Sequence, residues 1–453
     1  MSLNHLATRY TCSWPWSIAV LLCDGRVVCG CADPYAKRVL GDTRTSTLAS
    51  IWTGATASRL RQDINAGGSS FCGDCPLKLP LGADQPPPQR PLDVAPMPGR
   101  LYIECTAACN ISCFQACCAP ETGITRTRQA GMLDFDLFTR VVDEAGPSLG
   151  RIDFFNYGEA FLHKRAIEMC AYIKSKFPHI YLYTSTNGLA FNEEKVRQLA
   201  HTGIDEVTFS LDGASQETYA RYRQRGKFDV AMANLHALID EKARSRLDAP
   251  FINWRYILFN WNDSDAEMER ARRLAAEMSV DRLCWEITDH PEDSYSRRFA
   301  PPSPDFERIR HEVWDDNNLG NAIAGATPRA EIDVHTVFPD LPYLARAAST
   351  LTLMTRVRNL STRPFRAHAS QGRRLVRLGV QLLSGNGAMI NRDHARAWLP
   401  GDLPAGVTTT VAVDIPTPSA PGRYAVKFDM VSEGIDWFEA CGSPTITRGL
   451  WVS

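Results

Sequence analysis

The chain has 453 residues, too many for one hydrophobic core, so two or three domains are expected. Its 44% of hydrophobic and 22% of charged residues are ordinary for a soluble globular protein. The 50 lysines and arginines and the 51 aspartates and glutamates leave a formal net charge of −1, which excludes a global basic field that would recruit nucleic acid or an anionic membrane.

The N-terminus, MSLNHLATRYTCSWPW, lacks the basic start and the long apolar run of a secretory signal. No stretch approaches the roughly 18 apolar residues of a membrane helix. We therefore expect a cytoplasmic chain without a membrane span, in a compartment that keeps thiols reduced. The 14 cysteines then indicate metal binding or catalysis rather than disulfides.

Residues 1–95 predict a small cysteine-rich domain. Residues 19–29, AVLLCDGRVVC, are typical of a hairpin with Asp24-Gly25 as its turn. FCGDCP at 71–76 is a CxxC knuckle. The Pro-rich stretch 83–99 that follows is typical of a semi-rigid linker.

The middle segment, 96–325, alternates strand-like and helix-like patterns. The predicted strands are 100–104, 151–156, 180–186, 205–213, 251–259 and 281–287, and the predicted helices are 162–177, 192–203, 229–243 and 265–278. Repeated units of this kind predict an α/β fold with a parallel sheet, closed fully or partly into a (β/α)6-type barrel. The active site of such a sheet lies at the carboxyl ends of its strands.

Residues 326–453 change to short strand-like runs separated by Gly- and Pro-rich turns. This pattern predicts an antiparallel β-sandwich, and it resembles the immunoglobulin-like modules of bacterial cell-surface polysaccharide proteins. Trp437 and Phe438 look exposed and are candidates for stacking on a sugar. The favoured interpretation, however, is that both aromatic rings belong to the core.

The stretch CTAACNISCFQACC, 105–118, follows the first strand of the middle segment. It puts Cys109, Cys113 and Cys117 at the mouth of the predicted sheet. Soft thiolates are the ligands that iron–sulfur clusters need, and three of them leave one iron of a four-iron cluster open to a small molecule. A zinc site is the alternative, although tetrahedral zinc requires a fourth ligand.

This loop resembles that of the radical S-adenosylmethionine (SAM) superfamily, and the resemblance extends over about 96–290. The matching positions are Glu104, Thr106, Cys109, Asn110 and Cys113. The family spacing is CxxxCxxC, whereas this chain has Ala116 at the third position and Cys117 one residue later. The resemblance implies that Cys109, Cys113 and Cys117 hold a 4Fe–4S cluster, with Cys118 as the alternative third ligand. The frame Cys105, Cys109 and Cys113 is a further alternative, but it breaks the Cys-Asn register.

Later motifs at strand ends carry the same resemblance. NYGEA is similar to the Gly-Gly-Glu motif that holds the SAM amino group, which implies Gly158 and Glu159. SLDG implies Ser210 for the SAM ribose or carboxylate. Arg223 is implied as a bidentate partner of the SAM carboxylate, and Asn262 in NWND as a further cofactor contact. For Arg223 the alternative is a solvated helix position, and for Asn262 it is a plain turn position.

The N-terminal segment resembles the SPASM/Twitch auxiliary-cluster domain of radical SAM enzymes, which usually follows the catalytic domain. The shared order is a cysteine, an Asp-Gly hairpin, a cysteine, IWTG and the CxxC knuckle. The resemblance implies one auxiliary 4Fe–4S cluster, with a zinc ribbon as the alternative. Its ligands would be Cys12, Cys29 or Cys31, Cys72 and Cys75.

The resemblance therefore implies a radical SAM enzyme. The reduced cluster would pass one electron to bound SAM, and the 5′-deoxyadenosyl radical so formed would remove hydrogen from a substrate carbon. A saccharide or nucleotide sugar is the expected substrate, and a peptide is the alternative. A reducing partner such as flavodoxin or ferredoxin is expected, and no nucleic acid. The competing hypothesis is a non-catalytic zinc- or carbohydrate-binding scaffold.

Overall fold

The computed structural model describes residues 9–73, 75–82, 85–114, 131–289, 291–301, 303–309, 312–314, 329–334, 341–361, 365, 367, 375–432 and 436–453. The chain forms two compact units, Met1–Asp281 with Ile287–Ala300 and Arg282–Glu286 with Pro301–Ser453. The sequence predicts three domains instead. Residues 1–95 lie in the same unit as most of the middle segment, so the expected boundary near residue 95 does not separate compact units.

The elements of the first unit are short strands and helices in alternation. Its strands are β1 Tyr10–Thr11, β2 Ile18–Leu21, β3 Arg26–Val28, β4 Val39–Asp42, β5 Leu79–Pro80, β6 Arg100–Ile103, β7 Ser112–Cys113, β8 Arg151–Asp153, β9 Tyr181–Thr186, β10 Glu206–Ser210, β11 Arg223–Gln224 and β12 Phe251–Leu258, and β13 Arg282–Ile287 spans the division between the units. Its helices are α1 Trp14–Ser17, α2 Leu48–Trp52, α3 Ala55–Asn65, α4 Phe135–Ala145, α5 Ala166–Lys176, α6 Glu193–Ala200, α7 Gln216–Tyr222, α8 Phe228–Arg244 and α9 Asp265–Glu277.

One mixed sheet runs through the first unit. Six neighbouring strands are parallel, in the order β12, β10, β9, β8, β6 and β2. Strands β3 and β4 continue from β2 in antiparallel pairing. Parallel strands joined by helical crossovers are the partial-barrel arrangement that the sequence predicts, and their carboxyl ends meet at one edge.

Strand β2, at the end of this parallel order, comes from the cysteine-rich segment. Ile18 is the register partner of Arg100, and Leu21 is the partner of Ile103. The predicted hairpin is present, with β2 and β3 paired and Gly25 in its turn at a φ of +88°. This β2–β6 pairing is the physical reason why residues 1–95 are not a separate unit.

Local capping sets the helix boundaries that the sequence predicts. The Asn192 side chain accepts a hydrogen bond from the Lys195 backbone N–H and so begins α6. Ser264 caps α9 in the same way, through the Glu267 N–H. Gly203 follows α6 at a φ of +79°, a conformation that ends the helix at little cost for glycine.

Within its described residues, the second unit has a short helix and two sheets. Its elements are α10 Pro304–Ile309, β14 Ala330–Val334, β15 Tyr343–Ala345, β16 Thr350–Asn359, β17 Val376–Ser384, β18 Met389–Trp398, β19 Thr408–Pro416, β20 Gly422–Ser432, β21 Asp436–Trp437 and β22 Ile446–Val452. The smaller sheet has the order β14-β16-β19, and the larger has the order β15-β22-β20-β17-β18. Neighbouring strands in these orders pair antiparallel, apart from β15 and β22, which pair parallel.

The two sheets share one hydrophobic core. Val357 and Val413 of the smaller sheet belong to the same buried cluster as Leu378 and Phe428 of the larger. Two sheets around one core match the predicted sandwich in outline, while likeness to immunoglobulin modules stays a prediction.

Of the two interpretations of Trp437 and Phe438, the structure supports the one in which both rings belong to the core. Their exposed fractions are 5% and 2%. Strand β21 pairs with β20, which lays the Trp437 ring against Gly379, where a Cβ atom would be 2.6 Å from the ring. Phe438 packs edge-on against Phe365. Neither ring is accessible for stacking on a sugar.

In the described part of the chain, no helix combines the length and the apolar character that crossing a membrane requires.

Candidate functional site

The cysteine loop begins where β6 ends, at the edge of the sheet where the carboxyl ends of the parallel strands meet. Cys109 is partly buried, and Cys113, in β7, is buried. Cys105 points elsewhere, since its thiol is buried and donates to the Ala160 carbonyl at 3.3 Å. Cys117 and Cys118, the two candidates for the third ligand, lie outside the described residues.

Gly158 brings the loop after β8 against the cysteine loop. Its φ is +79°, and a Cβ atom there would lie 2.5 Å from the Thr106 carbonyl oxygen and 2.6 Å from the Ala108 carbonyl oxygen. The next backbone N–H, that of Glu159, donates to the Ala108 carbonyl at 2.7 Å. Only glycine satisfies both the backbone conformation and this close approach.

Glu159 holds the loop to the end of β9. One carboxylate oxygen accepts from the Thr186 hydroxyl at 2.8 Å, and the other accepts from the Asn187 N–H at 2.8 Å. The side chain is buried, and burial raises the pKa of its carboxyl group, while the Asn187 N–H and the Thr186 hydroxyl oppose that shift. The Glu159 carboxylate is thus engaged by the protein, and the backbone of the loop remains the part that faces the cysteines.

Asn187 is a site residue that sequence reasoning missed. Its side-chain N–H donates to the Asn110 side-chain oxygen at 2.7 Å, and it lies 3.8 Å from the Cys109 sulfur. Asn187 is buried at the end of β9. The signal that could have found it is the sequence Ser185-Thr186-Asn187-Gly188 at the end of the predicted strand 180–186, because a polar residue there lies at the edge of the sheet where the site is expected.

Arg223 lies at the same edge, beside a cysteine and a carboxylate. Its Nε donates to the Asp212 carboxylate at 2.5 Å, and one of its Nη atoms lies 3.6 Å from the Cys113 sulfur. Strand β11 brings it there by pairing with β7, in which Arg223 is the register partner of Cys113. Burial lowers the pKa of Arg223, but Asp212 and Cys113 outweigh this and hold it above the usual value, so the guanidinium is a fixed positive charge.

Ser210 lies at the end of β10, within a row of polar side chains on three neighbouring strands. Its hydroxyl is 2.9 Å from the Ser185 hydroxyl of β9, and it accepts from an Nη of Arg255 of β12 at 3.1 Å. Asn262 is different. Its amide N–H donates to the backbone carbonyls of Asp212 and Ile257 at 3.0 Å, its oxygen accepts from the Phe259 N–H at 2.7 Å, and the side chain is fully buried.

Asn262 therefore holds a turn together, and a contact with a cofactor would require it to give up these backbone hydrogen bonds. The predicted cofactor contact of Asn262 stays a prediction. The hydrogen bond from Asn262 supports the segment at Asp212, to which Arg223 is bound.

A second group of cysteines lies in the N-terminal segment. Cys12, Cys72 and Cys75 are buried in one cluster with Leu60 and Ile64 of α3, and Cys29 packs against that cluster. The Cys29 thiol also interacts electrostatically with the thiols of Cys12, Cys72 and Cys75. The four candidates thus come together from a loop, the end of β3 and the CxxC knuckle.

Cys31 does not join this group. It packs in a different cluster, with Val20, Val28 and Tyr102. Strand β3 ends at Val28, and Gly30 has a φ of +86°, so the chain turns between the two cysteines. The sequence left Cys29 and Cys31 as alternatives on one face, and the geometry favours Cys29.

The donor set has the chemistry of a thiolate-bound metal centre. Burial raises the pKa of Cys12 to about 11 and the pKa of Cys109 to about 11, and it raises the pKa values of Cys29 and Cys72 as well. Metal binding at these thiols must therefore displace protons. Among the described residues, no three Cys, His, Asp or Glu side chains are arranged as a closed metal site, so the thiols are close but not in ligand geometry.

Two protein families match the two parts of the chain that contain these two groups of cysteines. Residues 103–277 match the model of the radical SAM superfamily, and residues 12–76 match the model of SPASM, an iron-sulfur cluster-binding domain. The first matched range contains the cysteine loop and the strand ends around it. The second contains Cys12, Cys29, Cys31, Cys72 and Cys75.

Individual relatives match over shorter stretches. The chain is 34% identical over 114 residues to a tungsten-containing aldehyde ferredoxin oxidoreductase cofactor-modifying protein of Pyrococcus furiosus, a match that covers 25% of this chain and 30% of that one. It is 31% identical over 142 residues to the mycofactocin maturase MftC of Mycobacterium tuberculosis, covering 30% and 34%. The chain thus spans about a third of the length of these relatives.

Among solved structures, SuiB of Streptococcus suis bound to S-adenosylmethionine is similar at a TM-score of 0.34 and 13% identity, over 42% of this chain and 40% of that one. The two family matches rest on the sequence and not on this likeness. Residues 103–277 thus belong with the radical SAM superfamily and residues 12–76 with the SPASM domains, and these matches imply S-adenosylmethionine and a 4Fe–4S cluster for the first range and auxiliary iron–sulfur binding for the second.

Proposed function

We propose that the chain cleaves S-adenosylmethionine reductively at a site built on Cys109 and Cys113, and uses the radical to modify a substrate. The observation that carries this proposal is the convergence of separate strand ends on one loop. Gly158, Asn187 and Arg223 arrive from different strands and contact the cysteine loop directly. A buried structural cysteine pair would not need this polar surround.

When bound, a 4Fe–4S cluster and SAM supply one-electron cleavage of the sulfonium and a 5′-deoxyadenosyl radical. The residues of the chain bind and orient. Cys109, Cys113 and either Cys117 or Cys118 would hold the cluster, and the backbone at Gly158 and Glu159 would bind the SAM amino group. Arg223 presents positive charge to the SAM carboxylate, and Ser210 offers a hydroxyl to the ribose or carboxylate.

Cys12, Cys29, Cys72 and Cys75 form the auxiliary site in this proposal. Four soft donors from one segment suit a second 4Fe–4S cluster. The same donors suit tetrahedral zinc, which is the specific alternative at this site. Iron and sulfide analysis of a Cys109→Ala, Cys113→Ala double variant distinguishes them, since that variant retains only the N-terminal site.

The proposal for the substrate names a chemical class and not a single compound. A saccharide was expected partly from Trp437 and Phe438, and both rings are buried, so that support is lost. The relatives in Pyrococcus furiosus and Mycobacterium tuberculosis are named as cofactor-modifying and maturase proteins. We therefore rank a peptide or cofactor precursor above a sugar, with a flavodoxin or ferredoxin as the reductant.

The central test is SAM cleavage by anaerobically purified protein with dithionite. The wild-type chain should release 5′-deoxyadenosine, and Cys113→Ala should release none. Cys105→Ala is the matched control, because it removes a buried thiol from the same loop that is bound to a backbone carbonyl. A colourless wild-type protein with zinc and no sulfide would support the scaffold hypothesis instead. Comparing iron loss in Cys117→Ala and Cys118→Ala identifies the third ligand.

A further inference from the structure

Two buried cations accompany the four cysteines of the N-terminal segment. Arg61, on α3, is 1% exposed, and Lys78, just beyond the CxxC knuckle, is 3% exposed. In the described portion of the chain, neither has an aspartate or glutamate oxygen within ion-pair distance. Isolated buried charge is costly, so a buried cation requires a negative partner nearby.

Arg61 reaches into the cysteine cluster from the helix that forms one wall of it. Its neighbours on α3, Leu60 and Ile64, pack against the cysteines, and its guanidinium interacts electrostatically with the Cys29 thiol. Its Nε donates to the Pro15 carbonyl at 2.7 Å, and one Nη is buried without a hydrogen-bond partner. Its guanidinium carbon also lies 4.5 Å from the centre of the Trp52 ring, and a π face compensates only part of a full charge.

Lys78 is attached to the knuckle itself. Its Nζ donates to the carbonyl of Gly73, which lies between Cys72 and Cys75, at 2.6 Å. The ammonium also lies 4.7 Å from the centre of the Tyr10 ring, and it interacts electrostatically with the Cys72 thiol. A hydrogen bond to a neutral carbonyl leaves its charge uncompensated.

Other cations nearby differ from this pair. Arg38 has Asp33 beside it at 3.6 Å. Arg90 is only partly buried, where water screens its charge. Arg61 and Lys78 are thus the two buried cations of the segment that lack a described carboxylate partner.

We propose that Arg61 and Lys78 are the counter-ions of an anionic four-cysteine site and that they raise its reduction potential. The inference rests on the proposed auxiliary cluster. Four thiolates around a 4Fe–4S core of two positive charges carry two net negative charges, which the two cations match. One electron from a reductant adds a third negative charge without a proton, and nearby positive charge favours that reduced form.

The test measures the midpoint potential of the N-terminal site in the full chain. The Cys109→Ala, Cys113→Ala background removes the other cluster, and dithionite titration followed by electron paramagnetic resonance reports the reduced fraction. Arg61→Met and Lys78→Met should each lower the ratio of reduced to oxidised site at fixed potential about tenfold, which is ~59 mV for a one-electron couple. Combining both substitutions should lower it further.

Arg59→Met is the matched control. Arg59 lies on the same helix but is 81% exposed and sits 3.7 Å from Asp63, so its loss should leave the potential unchanged. Potentials of Arg61→Met and Lys78→Met that equal the wild-type value, with iron intact, would refute this inference alone. Zinc in place of iron at this site would refute the auxiliary cluster as well.

If Arg61→Met and Lys78→Met fail to bind iron, variants that keep the positive charge test the counter-ion role. Arg61→Lys and Lys78→Arg keep the positive charge while changing the shape of the side chain. If they retain iron where Arg61→Met and Lys78→Met lose it, charge is what the site requires, as proposed. If they lose iron equally, side-chain shape is the requirement, and the counter-ion role is wrong.

Discussion

We expect Gly158→Ala to reduce the rate of SAM cleavage strongly while the chain still folds. The substitution places a Cβ atom 2.5 Å from one backbone oxygen of the cysteine loop and 2.6 Å from another. Relief to an ordinary contact of roughly 3.4 Å requires about 1 Å of movement between the two loops. The positive φ adds about 1–2 kcal/mol of backbone strain. A displacement of about 1 Å at a reacting site can cost on the order of 100-fold in rate, which is the expected loss of 5′-deoxyadenosine formation per iron.

Gly203→Ala is the control for the backbone strain. Gly203 has the same φ of +79°, but the nearest atom to a Cβ placed there is the Lys174 Cβ at 3.6 Å, an ordinary contact. The variant should therefore lose a similar amount of stability, about 1–2 kcal/mol, and keep its rate of SAM cleavage per iron. Both variants are assayed for iron content, thermal unfolding and 5′-deoxyadenosine.

Equal rates of SAM cleavage in the two variants would refute this prediction. If Gly158→Ala cleaves SAM at the rate of Gly203→Ala with the same iron content, the close approach of the two loops has no role in the chemistry. Loss of all iron in Gly158→Ala alone would still agree with the geometry, because the clash is with the loop that carries the ligands.

Three further predictions concern other parts of the chain. Cys29→Ala should strip iron from the N-terminal site while Cys31→Ala keeps it, and iron analysis with the reverse pattern would contradict the geometry. Asn187→Asp removes the donor to Asn110 and adds negative charge beside Cys109, so SAM cleavage should slow about tenfold; an unchanged rate would remove Asn187 from the site. Burial raises the pKa of Asp429 from 3.8 to about 7, so the folded state binds a proton that the unfolded chain gives up. The bound proton stabilises the folded state by at most ~4 kcal/mol. This stabilisation is complete below the unfolded pKa of Asp429 and is lost as the pH rises through about 7. Asp429→Asn should therefore flatten the dependence of the unfolding temperature on pH over this range.

Much of the first unit was predictable because its signals are local. Asn192 and Gly203 bracket a helix that the structure contains, and Asp24-Gly25 marks a hairpin that it also contains. Gly158 and Arg223 were expected near the cysteine loop because their motifs resemble those of the radical SAM superfamily. The helix and hairpin signals, by contrast, depend on residues that are neighbours in sequence.

The rest depends on contacts that no local pattern encodes. Alternate residues of a strand share a face, so Cys29 and Cys31 looked equivalent, but β3 ends before both and Gly30 turns the chain. The Asn187 contact with Asn110 joins two loops that are 77 positions apart. The burial of Trp437 needs β21 to pair with β20, and a two-residue strand has too little periodicity to predict.

The pairing of Ile18–Leu21 with Arg100–Ile103 has a consequence for how the molecule assembles. During synthesis β2 and β3 can form their hairpin at once, but the parallel edge of β2 must wait until about 80 more residues have emerged. A chain that lacks the residues before 96 would leave β6 with the backbone N–H and C=O groups of a raw sheet edge, which is a template for aggregation. The cysteine-rich segment therefore cannot be removed or replaced as an independent domain, because its strand β2 is part of the same sheet as β6, the strand that leads into the cysteine loop.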